Sequence, residues 1–162
     1  MEKRFVCNYA VVKFLPYPET EEFVNIGVAL CCPELGVFDF KIESRRRDRI
    51  RGFFPELEID IYASGRRELV DELGRVKAAL CGNSQPGQAQ FKFKEADFLS
   101  VFKEITRPRE NIFCFGEVRT KSCLNPEREV DGLFEYYVSR QFAVHEDYQE
   151  KVMTDRLRNQ FK

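Results

Sequence analysis

The chain has 162 residues, 43% of them hydrophobic, with 16 Phe and 6 Tyr but no Trp. Such aromatic content excludes a disordered chain and suffices for one hydrophobic core without staples. Its 26 basic and 27 acidic residues leave a net charge of −1, which excludes a general attraction to nucleic acid or anionic membrane and leaves that role to local patches.

No apolar run approaches the roughly 20 residues that span a bilayer. Met1-Glu2-Lys3-Arg4 is not followed by an apolar leader core, so no signal peptide is expected. The cysteines Cys7, Cys31, Cys32, Cys81, Cys114 and Cys123 form no C-x-x-C pair. Without an export signal they are expected as reduced thiols in a cytoplasm. The vicinal Cys31-Cys32 reads as a strand end.

Residues 5–14 are β-branched and aromatic and predict a buried strand, closed by Pro16 and Pro18. A second strand is predicted over 23–32. There the two-residue period places Val24, Ile26, Val28 and Leu30 on one face and Phe23, Asn25, Gly27 and Ala29 on the other. Pro33 to Gly36 is a turn. Phe38, Phe40 and Ile42 then alternate with Val37, Asp39 and Lys41, giving a third strand hairpinned to the second. A short helix follows Ser44 and ends near Gly52 or Pro55. A longer one, from about Ile59 to Leu80, carries the stripe Leu69, Val70, Leu73, Val76 and Leu80.

Residues 81–88 resemble a linker. Phe91 and Phe93 suggest a short strand. Phe98, Leu99, Phe102 and Ile105 mark one face of a helix from Glu95 to about Thr106, stopped by Pro108. Residues 111–118 read as a strand. Asn125-Pro126 is a helix start with an Asn cap and Pro at the first position. Val130, Leu133, Phe134, Tyr137 and Val138 turn that helix toward the core. The fold class is therefore α+β, a mainly antiparallel sheet with helices packed on one face. One domain is expected over residues 1–142, followed by a charged helical extension over 143–162.

The only histidine, His145, lies in that extension, so any Ser-His-Asp arrangement would have to draw on the tail. No zinc-ligand spacing and no phosphate-cradling glycine motif is present. No catalytic residues, metal or cofactor are expected. Three features stand above this background. Asn25 and Gly27 interrupt an apolar strand, as a bulge or as a polar contact beside Glu22. Lys41 to Arg51 holds six positive and two negative residues, with Arg45 and Arg49, and Arg47 and Arg51, spaced to project together if helical. Arg45, Arg46, Arg49 and Arg51 are thus candidates for gripping phosphate, or for pairing with Glu56, Glu58 and Asp60. Arg107 and Arg109 flank Pro108, with Arg119 and Lys121 beyond, and suit either an oxyanion or Glu21 and Glu22.

Tyr9-Ala10-Val11-Val12-Lys13-Phe14-Leu15-Pro16, followed by Glu22-Phe23-Val24-Asn25-Ile26-Gly27-Val28-Ala29-Leu30, resembles the opening of the bacterial domain-of-unknown-function 3037 family. Arg107 to Ile112 and Asn125 to Phe134 are similar to that family's closing strand and helix. The resemblance covers roughly residues 5 to 140 and stops before the extension. It implies a small bacterial or phage-borne intracellular protein and brings no activity, cofactor or catalytic residue. It also implies an accessory role beside kinase-like proteins of toxin–antitoxin or phage-defence type.

Three functions are expected in competition. The first is a non-catalytic interaction module with a protein partner, contacted by an exposed sheet edge or by Tyr148, Val152, Leu157 and Phe161 of the extension. The second is a nucleic-acid-binding accessory using Arg45, Arg46, Arg49, Arg51, Arg107 and Arg109. The third is an enzyme acting on a phosphorylated or carboxylated small molecule, with Glu22, Asn25, Arg107 and Arg109 converging.

Overall fold

The structure, a computed structural model, describes residues 2–44, 47–82, 95–107 and 111–139. The expected strand at Phe91 and Phe93, the linker beyond Gly82, and the extension over 143–162 lie outside the described residues.

Strands β1 (Phe5–Phe14), β2 (Val24–Cys32) and β3 (Val37–Ile42) are followed by helices α1 (Arg47–Phe53), α2 (Ile59–Cys81) and α3 (Glu95–Ile105). Then come β4 (Phe113–Phe115), β5 (Arg119–Cys123), α4 (Pro126–Phe134) and a π-helical turn over Glu135–Ser139. The strands form one antiparallel sheet in the order β3-β2-β1-β4, with β5 also on β1. The class is antiparallel α+β, as the short turns joining the first three strands predict.

β1 lies at the centre. Asn8 to Phe14 pair with β2, while the opposite edge of β1 is shared by two short strands in tandem. β4 takes Val12 to Phe14 and β5 takes Phe5 to Tyr9. The single strand expected over 111–118 is thus corrected. It ends at Phe115, the Gly116 N–H donates to the Val11 carbonyl at 2.8 Å, and a second strand starts at Arg119. The Arg-Thr-Lys-Ser-Cys run of β5 has a single apolar residue, so no alternation betrays it.

β2 holds a second correction. Val12 pairs with Gly27 but Lys13 pairs with Asn25, so Ile26 is an extra residue, a β-bulge. The bulge shifts the period by one. Val24 and Ile26 join Ala29 and Cys31 in one buried cluster, while Val28, Leu30 and Cys32 join another. The four residues expected on one face are therefore split between two. Gly27 is required by β3, because a Cβ there would stand 2.6 Å from the Lys41 carbonyl oxygen.

The first cluster covers the sheet face under α1, α2 and α3 and is dominated by aromatic rings. Phe14 meets Tyr62 at 4.9 Å, Phe113 at 5.0 Å and Phe54 at 5.8 Å between centroids. The α2 stripe is the predicted one, with Leu73 and Leu80 buried and Leu69, Val70 and Val76 packed beside them. Gly65, unexpected inside a helix, gives up its side chain to the edge of Phe113. Each fully buried side chain of this kind contributes roughly 1.5–3 kcal/mol of transfer free energy.

The second cluster lies on the opposite face, where Val130 and Leu133 of α4 cover Tyr9, Val28, Leu30 and Cys32. α4 starts as predicted, its Asn125 side chain accepting from the Glu127 N–H at 3.2 Å. Cys7 and Cys123 belong to this cluster and pair as a disulfide, which corrects the expectation of six free thiols. The β1–β5 register aligns Cys7 with Lys121 and Phe5 with Cys123, placing the two cysteines diagonally on one face. Their separation of 116 residues offers no hint of it in the sequence. Cys31, Cys32, Cys81 and Cys114 are free. Among the described residues no helix is long and apolar enough to cross a membrane.

Candidate functional site

The residues singled out by sequence do not gather at one place. On α1, Arg49 is half-buried and Arg51 exposed, while Arg45, Arg46 and Arg109 lie outside the described residues. Tyr148, Val152, Leu157, Phe161 and His145 lie outside them as well. Arg107, just past the end of α3, pairs at 3.8 Å with Glu104 of that helix, rather than with Glu21 or Glu22. Glu22 is exposed, its backbone N–H donating to the Thr20 hydroxyl at 3.2 Å. Within the basic run, Glu43 is only 7% exposed. Its carboxylate accepts from the Tyr62 hydroxyl at 3.2 Å, its carbonyl accepts from Arg66 Nε, and its N–H donates to the Ile26 carbonyl at 2.7 Å. Those bonds tie the end of β3 to the bulge and to α2. Among the described residues no group of three or more His, Cys, Asp or Glu is placed to hold a metal.

Asn25 leads somewhere else. Its side-chain N–H donates to the Tyr137 carbonyl at 3.3 Å, so the β-bulge meets the π-helical turn. Both irregularities leave backbone groups outside regular ladders, and both are frequent at functional sites. The π turn places the Tyr137 ring against Tyr9 of β1, with centroids 5.9 Å apart and hydroxyls 3.0 Å apart. Arg119, paired with Tyr9 across the β1–β5 ladder, donates from Nη1 to the Tyr137 hydroxyl at 3.4 Å. Tyr9 is 7% exposed, Tyr137 half-buried and Arg119 exposed. Burial pushes the Tyr9 hydroxyl above the usual tyrosine range, and the hydrogen bond and proximity of Tyr137 add to this, against an opposing pull from Arg119. Tyr9 is thus held in its protonated form, and either hydroxyl can donate in the bond to Tyr137.

Further along the same face of β1, Lys13 stands opposite Asn25, its ammonium 4.1 Å from the centroid of the Phe23 ring, which is 47% exposed. Four residues of strand separate it from Tyr9, roughly 13 Å. Other cations on this face are neutralised: Lys41 pairs with Asp131 at 3.1 Å and Lys121 pairs with Glu129. Among the described residues no carboxylate forms an ion pair with Arg119 or Lys13. The corner is thus rich in donors, with a guanidinium, an ammonium and phenol hydroxyls. That chemistry suits holding an oxyanion rather than shuttling protons. At the Phe5 end of the sheet, a cavity of about 360 Å³ opens between Val6, Asn8, Pro33, Glu34, Glu95 and Leu99. Its lining is mostly apolar, with Glu34 and Glu95 as its charged residues, and Lys3 pairs with Glu34 at 2.8 Å.

Sequence reasoning counted Tyr137 as a core position and Tyr9 as part of a buried strand, and noted Arg119 only as a cation beyond a strand. Nothing in the spacing of positions 9, 119 and 137 links them; only the sheet register does. Nothing among curated proteins and nothing among solved structures matches the chain. The family model described as a protein of unknown function (DUF3037) matches residues 9–138, a span that holds Tyr9, Asn25, Arg119 and Tyr137. The chain belongs to the DUF3037 family.

Proposed function

We propose that this domain is a non-catalytic interaction module that receives a segment of a protein partner along β5. The observation that carries this reading is the contrast between the two sheet edges. β5 is an edge strand whose Arg119, Thr120, Lys121 and Ser122 are all exposed. Such an edge offers unpaired backbone groups to a partner strand. At the opposite edge, β3 is capped by α2: the Cys81 thiol contacts the carbonyls of Gly36 and Phe38 at 3.8 Å, and Lys77 pairs with Asp39 at 3.0 Å.

The partner class in this reading is a kinase-like or toxin–antitoxin protein of a bacterial cytoplasm, following the family resemblance. Four free cysteines support a reducing compartment, and the paired Cys7 and Cys123 are buried away from soluble thiols. Affinity capture from the source cells, followed by amide hydrogen exchange on the captured complex, tests the reading. Residues 119–123 should exchange more slowly in the complex, with β3 unchanged. Protection at β3 instead, or none at β5, removes the edge from the account. The same capture with a chain ending at Phe142 asks whether the extension carries the contact; undiminished recovery excludes it.

A further inference from the structure

We infer that Arg119, Tyr137 and Tyr9 form an oxyanion site, which takes a phosphoryl or carboxylate group borne by the partner segment lying on β5. The inference rests on the interaction-module reading for its occupant, and on proton counting for its chemistry. The Tyr9 and Tyr137 hydroxyls hold two protons between them, and the 3.0 Å bond joining them uses one. Arg119, 3.4 Å from the Tyr137 hydroxyl, adds donors and no acceptor. One hydroxyl proton is therefore left to point outward, and among the described residues no further acceptor is in hydrogen-bond contact with either tyrosine oxygen.

The guanidinium has the same surplus, since one N–H reaches Tyr137 and no carboxylate of the described residues forms an ion pair with it. An oxyanion supplies what both lack: acceptor lone pairs for the remaining hydroxyl and guanidinium protons, and a negative charge for Arg119. The geometry is held in advance. Tyr9 is fixed in the β1 ladder, Arg119 faces it from β5, and the Tyr137 carbonyl is anchored by Asn25 on β2. The site therefore spends little ordering entropy on binding, as preorganised sites do. It lies beside the exposed edge, so a strand docked on β5 would carry its side chains past Arg119.

The test titrates the full chain with inorganic phosphate, phosphoserine and acetate in separate arms, following the Arg119 Nε–H signal by NMR. Tyrosine fluorescence provides a second readout, free of Trp background because the chain has none. Saturable shifts are expected, with affinity falling about tenfold in Arg119→Gln and several-fold in Tyr137→Phe, and no change in Arg51→Gln. Saturation by phosphate and phosphoserine alone assigns a phosphoryl group; saturation by acetate alone assigns a carboxylate. An undiminished response in Arg119→Gln, or no saturable response in any arm, overturns the inference. Arg119 is exposed, so its replacement leaves the fold intact, as circular dichroism will show. The two proposals fail separately. Arg119-dependent anion binding without protection of β5 sinks the docking reading and keeps the site, whereas protection of β5 without Arg119-dependent anion binding sinks the site alone.

Discussion

The two faces of the sheet are built for different ends. Under α1, α2 and α3, rings interlock: Phe38 meets Phe102 at 6.3 Å, Phe14 sits among three aromatic neighbours, and Phe102 is 0% exposed. Under α4 and the π turn, the apolar cluster gives way to hydroxyls and cations, with Tyr9 and Tyr137 joined by oxygen and Arg119 above them. One face spends its side chains on stability. The other keeps part of its donor capacity turned outward, where it contributes little to folding and fits the oxyanion site proposed above.

The sharpest way to break this comparison is truncation. Phe102→Ala removes a fully buried ring from the first face and should cost about 3–5 kcal/mol in urea unfolding. Tyr137→Phe, on the second face, should cost about 1 kcal/mol or less, since it removes one hydroxyl from a half-exposed network. Comparable losses at the two positions would erase the distinction.

Alkaline pH sharpens it next. The Cys31 thiol, on the aromatic face, is pushed up to about 12 by burial, with Cys32 and Cys81 adding to the effect. The folded value lies above the unfolded value near 9, so its stabilising contribution is complete below pH 9 and is lost as pH climbs toward 12. The steepest slope from one such group is about 1.4 kcal/mol per pH unit. Burial also raises Cys32, Cys114 and Tyr9, in the same sense. Cys31→Ala should flatten the alkaline limb of a stability–pH profile, and an unaltered limb would contradict the burial argument.

The smallest effect concerns how α4 is held on its face. Asn125→Ala should cost about 1 kcal/mol through loss of the cap. Asp131→Ala, which breaks the exposed pair with Lys41, should cost less than about 1 kcal/mol. A reversed order would mean that surface charge, rather than capping, seats the helix.

The parts of this fold that were legible in sequence are those where burial imposes a period. β1 is a β-branched and aromatic run and β3 alternates, and their bounds follow from Pro16 and from Gly36 before Val37. The Leu69–Leu80 stripe and the Asn125-Pro126 start were equally plain, because each encodes local chemistry. What escaped was set by distant partners. β5 carries almost no apolar side chains, since it lies at an edge and borrows its strand conformation from β1. The bulge at Ile26 is flagged in the sequence by Asn25 and Gly27, which interrupt the apolar run, but nothing local shows the change of phase that divides the strand between two faces. In the Tyr9–Tyr137–Arg119 corner the two tyrosines stand 128 positions apart and read as core, because tyrosine serves both roles with the same ring, while Arg119 reads only as a cation beyond a strand.

The placement of β1 at the middle of the sheet has a consequence for synthesis. Within this sheet β1 is made before β2, but its other neighbours are residues 113–115 and 119–123, made near the end of the span that forms the sheet. Until they emerge, that edge of β1 keeps its backbone N–H and C=O groups without ladder partners. That delay makes slow, late-closing folding the natural regime for this topology and a holding chaperone a useful companion to its biogenesis.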